Sequence, residues 1–493
     1  MHKKTQLYLA LILAVIFTFG GASNVFAEEN IPGMNSLEEV IQDVQLLHIS
    51  EPDSQTLILG AIDGLINTLN DPYTVYMSPE DLKNFRGSLE GDYVGIGVQL
   101  QPGEIYPKVL NAMENTPASE AGIESGDMFI KIDRLDISGE PLAKVVEKIR
   151  GLEGTKITLT IRREGMADFD IILTRANIST PTVTGKILGS DIAYIRINTF
   201  GDFTKDEFER TLDDLLDQGA AKLILDLRDN PGGLIHSVVE VSSYFIDEGD
   251  IVVSTVDRAG MRDDYLAEKG GAARGMPIVV LVDGYTASAA EILAGALQDY
   301  DLAVLIGGQT FGKGTVQAVV PLDTGGALKI TVARYHTPAD RVIDGTGLTP
   351  DIQVLTPYLS EAMAQVYLSG AEKNIVVFDK DKSEAEINGI AVKSGQVIQR
   401  QGINYLPLRF LFEALGYRVD WLQDKGSINI TGFQTEAVIY PADGHYMING
   451  LSYPGEGAIL SDKGSVYIQD SLLKLFDAGI QYENNSIIIE KTL

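Results

Sequence analysis

Pro277-Ile278-Val279-Val280-Leu281-Val282-Asp283-Gly284-Tyr285-Thr286-Ala287-Ser288-Ala289-Ala290-Glu291, and further on Phe311-Gly312-Lys313-Gly314-Thr315-Val316-Gln317, are the segments from which the rest of this chain is read. The apolar run 277–282 predicts a buried strand, and the small residues after it predict a turn into a helix that Ser288 opens and that runs to about Tyr300. A serine there sits in the first turn, where unpaired backbone N–H groups converge. Such donors suit the oxyanion that forms when a nucleophile attacks a carbonyl. A second apolar strand, Ala303-Val304-Leu305-Ile306, leads to Lys313, which lies between two glycines. In a dry site a lysine loses its charge and serves as general base for a serine. Residue types alone leave a plainer reading open, a helix N-cap followed by a Gly-Lys-Gly loop.

The run Tyr285 to Glu291 followed by Phe311 to Gln317 resembles the signature of the carboxyl-terminal processing (tail-specific) serine proteases. The resemblance implies Ser288 as nucleophile, Lys313 as base and Gln317 as the residue that orients the lysine. It also implies an α/β core of the crotonase type. One geometric demand follows. Residues four apart along a strand are roughly 13 Å apart, so Lys313 and Gln317 meet only if Gly312 and Gly314 bend the chain or the lysine folds back.

The chain has 493 residues, 45% hydrophobic, enough for several domains with their own cores. A formal net charge of −30 argues against nucleic acid as a partner. With no cysteine, thiol catalysis, disulfides and thiolate metal sites are excluded, and neither a metal nor any other cofactor is expected. Residues 1–27 read as an export signal: Lys3 and Lys4, an apolar run from Leu7 to Phe19, and Val25-Phe26-Ala27 before a cut. An uncleaved anchor is the second reading of that segment. Either places the protein outside the cytoplasm, in the cell envelope or secreted.

Apolar residues at helical spacing, Leu37 to Leu47 and Leu57 to Leu69, predict a helical segment over 28–88 that packs on the core, caps it or joins two copies in a homodimer. Residues 89–176 resemble a PDZ domain through Tyr93-Val94-Gly95-Ile96-Gly97-Val98, Pro117-Ala118-Ser119-Glu120-Ala121-Gly122-Ile123 and Gly126-Asp127. Val94, Gly95, Ile96, Gly97 and Val98 combine a glycine-flanked nest for a carboxylate with a strand edge to which a peptide adds. Protein or peptide substrates with free C-termini are therefore expected. Asp133-Arg134 departs from the PDZ pattern, in which glycine follows the aspartate. Arg150 is read either as a solvated arginine or, by resemblance, as a coupling residue between peptide binding and the active site.

From 177 to 358 strands alternate with helices, which predicts the α/β core. Asp229-Asn230-Pro231-Gly232-Gly233-Leu234 follows a buried strand. Its plain reading is a turn. By resemblance it supplies one oxyanion donor from Gly232 or Gly233, with the N–H of Ala289 as the other.

Residues 375–493 hold an internal repeat of about 60 residues. Ile387-Asn388-Gly389-Ile390 returns as Ile448-Asn449-Gly450-Leu451, and Leu411-Phe412-Glu413-Ala414 returns as Leu475-Phe476-Asp477-Ala478. Tyr405 to Arg409, Gly416 and Val419-Asp420-Trp421 resemble the stalk-type domain named after the N-terminal domain of copper amine oxidases. The two units are expected to fold as one α+β domain with Trp421 and both Leu-Phe helices inside. That domain is expected to be dispensable for chemistry, and either to bind a cell-wall component or merely to shield the core. The fold class expected is multidomain α/β and α+β. Two rivals remain at this stage, a Ser–His pair using His236 and a non-catalytic peptide-binding scaffold.

Overall fold

The computed structural model describes residues 33–493, apart from positions 90, 91, 102, 104, 114, 141, 164, 180, 269, 270, 272, 324, 357 and 456, together with Val15–Ile16. The export signal expected at 1–27 otherwise lies outside the described residues. Val15–Ile16 pair in parallel with Gln317 and Ala318.

The expected α/β core is built on a six-stranded sheet in the order Val183–Leu188, Ile192–Ile197, Lys222–Asp226, Ile278–Val282, Ala303–Gly307, Ile352–Gln353. Its first pair is antiparallel and the rest are parallel. Every residue of Ile278–Val282 is buried, as its continuous apolar run requires of a strand covered on both faces. Alternation divides the strands between two cores. Ile278, Val280 and Val282 pack toward helices Thr204–Asp217, Ile235–Ser242 and Ala289–Asp299. Val279 and Leu281 face the other way, into a core that continues through helix Leu359–Leu368 and the whole C-terminal domain. The expected separable repeat is therefore joined to the enzyme by apolar packing.

A second sheet carries Ile251–Asp257, Arg262–Leu266, Thr315–Pro321 and Ala327–His336, with Val75–Met77 paired on Ala327–His336. Helices Met34–Leu47 and Ser54–Asn67 keep much of their apolar surface in water; Leu46, Leu47 and Leu65 are all exposed.

The PDZ domain has its own core around Phe129, Ile157 and Leu159. Val98–Gln101 forms one edge of its sheet, and helix Leu142–Ile149 is strongly amphipathic. Asp92–Gly95 and Ala176–Ser179 form a two-stranded antiparallel ribbon at its entry and exit. Asp133 and Arg134 both take positive φ, 48° and 70°, so the turn normally made with glycine is kept with an arginine in the left-handed region.

In the C-terminal domain the repeated strands meet. Tyr405–Pro407 pairs with Tyr467–Gln469, and Lys373–Asp379 pairs with Ser486–Thr492. Asn388-Gly389 and Asn449-Gly450 make equivalent hairpin turns at positive φ. Leu411, Phe412 and Phe476 are buried and Phe412 packs on Phe476 at 4.6 Å, as the repeat predicts. Trp421 is 50% exposed and Leu475 41%. Those two expectations fail. Trp421 lies on the edge strand Arg418–Leu422, one pair from the hairpin turn between Leu422 and Ser427, and the second repeat makes a 3-10 turn over Asp470–Phe476, which rotates Leu475 outward.

Candidate active site

Strand Ile278–Val282 runs into a turn fixed by Asp283, whose Oδ1 accepts the N–H groups of Tyr285 and Thr286, both at 2.9 Å. The Thr286 hydroxyl donates to the Leu227 carbonyl at 2.8 Å, tying this turn to the strand that precedes the double-glycine loop. Ser288 follows with φ 56° and ψ −117°. That conformation is strained for a non-glycine residue, of order 1–3 kcal/mol, and persists only where the surroundings enforce it. Here helix Ala289–Asp299 starts immediately, and the Tyr335 hydroxyl donates to the Ser288 carbonyl at 3.2 Å.

Glu291 joins the two halves of the site. Its Oε2 accepts the backbone N–H of Ser288 and that of Lys313, each at 2.9 Å. Its Oε1 accepts Gly312 N–H at 2.8 Å and the Thr310 hydroxyl. The side chain is fully buried. Burial pushes its carboxyl up, against the four donors, which favour the ionised form. One carboxylate thus holds the Ser288 turn and the Lys313 loop together. The sequence analysis missed this residue, though its signal was present: Ser288-Ala-Ala-Glu291 is a capping-box spacing.

The Lys313 side chain is buried, and Nζ stands 2.9 Å from Gln317 Oε1. Gln317 Nε2 donates to the hydroxyls of Thr315 and Thr331, both at 3.0 Å, so its oxygen is the end turned to the lysine. The spacing demand is met in two ways. Lys313 precedes the strand, which begins at Thr315 after Gly312 at φ 84°, and a bulge opposite Val316/Gln317 shifts the register. Nζ also lies 4.8 Å above the Tyr73 ring. Burial, and then the charge of Lys329, hold the Lys313 ammonium well below the ordinary lysine range, while Glu291, Asp71 and Asp344 oppose.

Across the cleft, Asn230 Oδ1 accepts Gly232 N–H at 2.8 Å. That donor is engaged. Gly233 N–H and Ala289 N–H have no acceptor among the described residues, so of the two glycines Gly233 is the one open to an incoming oxygen. Gly232 matters for another reason: a Cβ there would lie 2.8 Å from Ser288 Cβ and 2.9 Å from Ala289 N. His236 stands apart on the surface, 3.4 Å from Asp202 and half exposed.

The expected peptide-binding residues divide. Val94 and Gly95 belong to the ribbon, paired with Asn177 and Ala176. Ile96 is buried, and Gly97, at φ 78°, leads into the free edge that starts at Val98. Arg150 is exposed at the end of helix Leu142–Ile149.

Comparison with known proteins matches Peptidase family S41 over residues 191–354, the PDZ domain over 108–163, the activating protease CtpB N-terminal domain over 22–81 and the copper amine oxidase N-terminal domain over 386–490. A carboxy-terminal-processing protease of Bartonella bacilliformis is 39% identical over 327 residues, 65% of this chain and 74% of that protein. The carboxy-terminal processing protease CtpA of Bacillus subtilis is 32% identical over 429 residues, 85% of this chain and 86% of that protein. Among solved structures, the photosystem II D1 C-terminal processing protease is 30% identical with a TM-score of 0.45, covering 68% of this chain and 91% of that one. The chain belongs to the carboxyl-terminal processing proteases of peptidase family S41 and is a serine peptidase carrying a PDZ domain.

Proposed function

We propose that this is an exported endopeptidase that cleaves proteins chosen by their C-terminal tails, through an acyl-enzyme formed on Ser288. Neutral Lys313 takes the Ser288 proton as the hydroxyl attacks the scissile carbonyl. Gln317 holds the resulting ammonium, and the N–H groups of Gly233 and Ala289 receive the oxyanion. Protonated Lys313 then gives its proton to the leaving amine; neutral again, Lys313 takes a proton from the water that attacks the acyl-enzyme and returns it to Ser288 Oγ as the acyl group leaves. The observation that carries the reading is the buried Lys313 amine on a neutral amide oxygen, in a loop that Glu291 ties to Ser288.

A tail enters the PDZ groove beside Val98–Gln101 with its carboxylate at the Ile96-Gly97 turn, and Arg150 relays occupancy to the core. The exposed apolar faces of Met34–Leu47 and Ser54–Asn67 suit a homodimer seam. The C-terminal domain carries the enzyme against a cell-wall component. Residues 1–27 direct export. Alanine at Ser288 or at Lys313 should each abolish cleavage of an unstructured tailed peptide, and the double variant should be no worse than either single one. Turnover by Lys313→Ala within tenfold of the parent would overturn the assignment.

A further inference from the structure

Lys329 is a second buried lysine on the wall of the same site, and the mechanism above does not use it. Its side chain is almost wholly buried, with only 2% of the residue exposed. In the second sheet Val319 pairs with Lys329 and Gln317 pairs with Thr331. By strand alternation Lys329 therefore points to the face that carries Gln317 and, through it, Lys313. On its far side Lys329 pairs with Val75, just past Tyr73. Its ammonium lies 5.6 Å from the Phe85 ring and makes no hydrogen bond or ion pair among the described residues. A lysine placed so deep, with an aromatic ring as its neighbour and no carboxylate paired to it among the described residues, calls for a reason.

The charges around the two lysines supply one. Lys313 is faced by Asp71 and Tyr73 from the segment before Val75–Met77, by Glu291 from the nucleophile helix, by Asp344 from the loop after Ala327–His336, and by Lys329. Lys329 is faced by Asp71 and by the Phe85 ring. Glu291 is occupied by four donors, and Asp344 accepts Gly314 N–H at 3.1 Å. Asp71 is the carboxylate that acts on both lysines, and it also holds the Tyr73 N–H and the Thr74 hydroxyl. Two ammonium groups in one dry pocket repel, so the charge settles on the less buried lysine and leaves the other neutral.

Resting on the reading of Lys313 as base, we propose that Lys329 is a positioning residue whose buried positive charge keeps the Lys313 amine free to accept the Ser288 proton. The direction of titration agrees. Burial brings Lys329 down to about 8, so it is charged at neutral pH, and its charge is one of the causes, after burial, that hold Lys313 well below the ordinary lysine range.

The experiment is the pH profile of kcat/KM on a tailed peptide for the full-length enzyme and three variants. Lys329→Met removes the repelling charge. Its rising limb should move to higher pH by about one unit, giving a roughly tenfold loss near neutrality with recovery at the alkaline plateau. Lys329→Arg keeps the charge and should keep the limb in place. Asp71→Asn combined with Lys329→Arg removes the carboxylate beside Lys313 while position 329 stays charged at every pH, so its limb should move the opposite way, to lower pH. Opposite shifts are an outcome that a merely structural role does not produce. A Lys329→Met profile lowered by one factor at every pH, or unmoved, overturns the inference. Should that variant fail to fold, Lys329→Gln is read in the same way, and an unmoved limb there overturns the inference. The base assignment fails separately, through activity retained by Lys313→Ala.

Discussion

The apolar core of the PDZ domain closes on itself between Ile96 and Leu173, whereas that of the C-terminal domain continues without a break into the catalytic sheet. At the PDZ side the chain crosses through the ribbon Asp92–Gly95 and Ala176–Ser179, a contact of backbone on backbone. At the C-terminal side, helix Leu359–Leu368 lies between Val279, Leu281 and Ile306 of the sheet and the repeat behind it. Polar bonds run across the same seam. Glu413 Oε2 accepts Thr356 N–H at 2.8 Å, and Arg228 donates to the Ser360 hydroxyl at 3.0 Å. Arg228 also grips Asp226, which is buried, and stands just ahead of the loop that carries Gly232 and Gly233. The PDZ domain is joined to the rest through a ribbon, and the C-terminal domain shares its apolar core with the catalytic sheet. A contact that must respond to substrate is best kept outside the main core, since local opening then needs little free energy.

The largest expected effect tests that contrast directly. A chain ending near Lys373 keeps helix Leu359–Leu368 over Val279, Leu281 and Ile306, but returns to water the face of that helix turned to the repeat. Each apolar side chain of that face costs about 1.5–3 kcal/mol, so the few there remove much of the ~5–15 kcal/mol that stabilises a typical domain. The shortened protein should be insoluble or unfolded by circular dichroism. Replacing residues 92–179 by a short flexible linker should instead leave a folded core that has lost selectivity for tails. A soluble, active chain ending near Lys373 would restore the repeat to the separable status its sequence suggested.

Point substitutions sharpen the same contrast at smaller scale. Phe412→Ala and Phe129→Ala each empty a fully packed position, for about 3–5 kcal/mol. Phe412→Ala should lower the melting temperature of the catalytic core itself. Phe129→Ala should melt the PDZ domain as a separate transition in calorimetry, with cleavage of a short untailed peptide preserved. Glu413→Ala removes a buried acceptor of Thr356 N–H and the partner of Arg409 at 3.2 Å, and should destabilise the core by about 1–3 kcal/mol. One transition shifting alike for protease and repeat signals is the expected readout.

Much of this was legible before the structure, and the parts that were not share a cause. The apolar run at 278–282, the Asn-Gly hairpins and the repeat are local patterns, and local patterns survive in sequence. The role of Glu291 was hidden because two of its donors come from residues more than twenty positions away. Gly232 and Gly233 look interchangeable in sequence, and only the hydrogen bond from Gly232 N–H to Asn230 separates them. Trp421 was expected inside, but it sits on an edge strand beside a hairpin turn and is half exposed. The continuous core between repeat and enzyme was least legible. A strand buried on both faces shows that something covers it, and not what.

The smallest expected effect concerns the PDZ domain alone. On the function proposed above, a tail held by the PDZ domain would add a strand along the edge Val98–Gln101 and bring its terminal carboxylate to the Ile96-Gly97 turn. Gly97 is needed there at φ 78°, since a Cβ would sit 2.3 Å from Thr116 Cβ, so the turn cannot be remade around a bulkier residue. Amidating the peptide leaves the added strand intact and removes only the charge. A hydrogen bond to a charged group contributes about 1.5–3 kcal/mol, which corresponds to roughly a 10- to 150-fold rise in KM at unchanged kcat if the carboxylate serves binding alone. The kcat term reads the ribbon. If occupancy of the PDZ groove also sets the catalytic residues, kcat should fall together with the rise in KM, and the fall should vanish in the protein lacking residues 92–179. Equal cleavage of amidated and free peptides would remove the PDZ domain from substrate choice, and the ribbon would then be a linker with no message to carry.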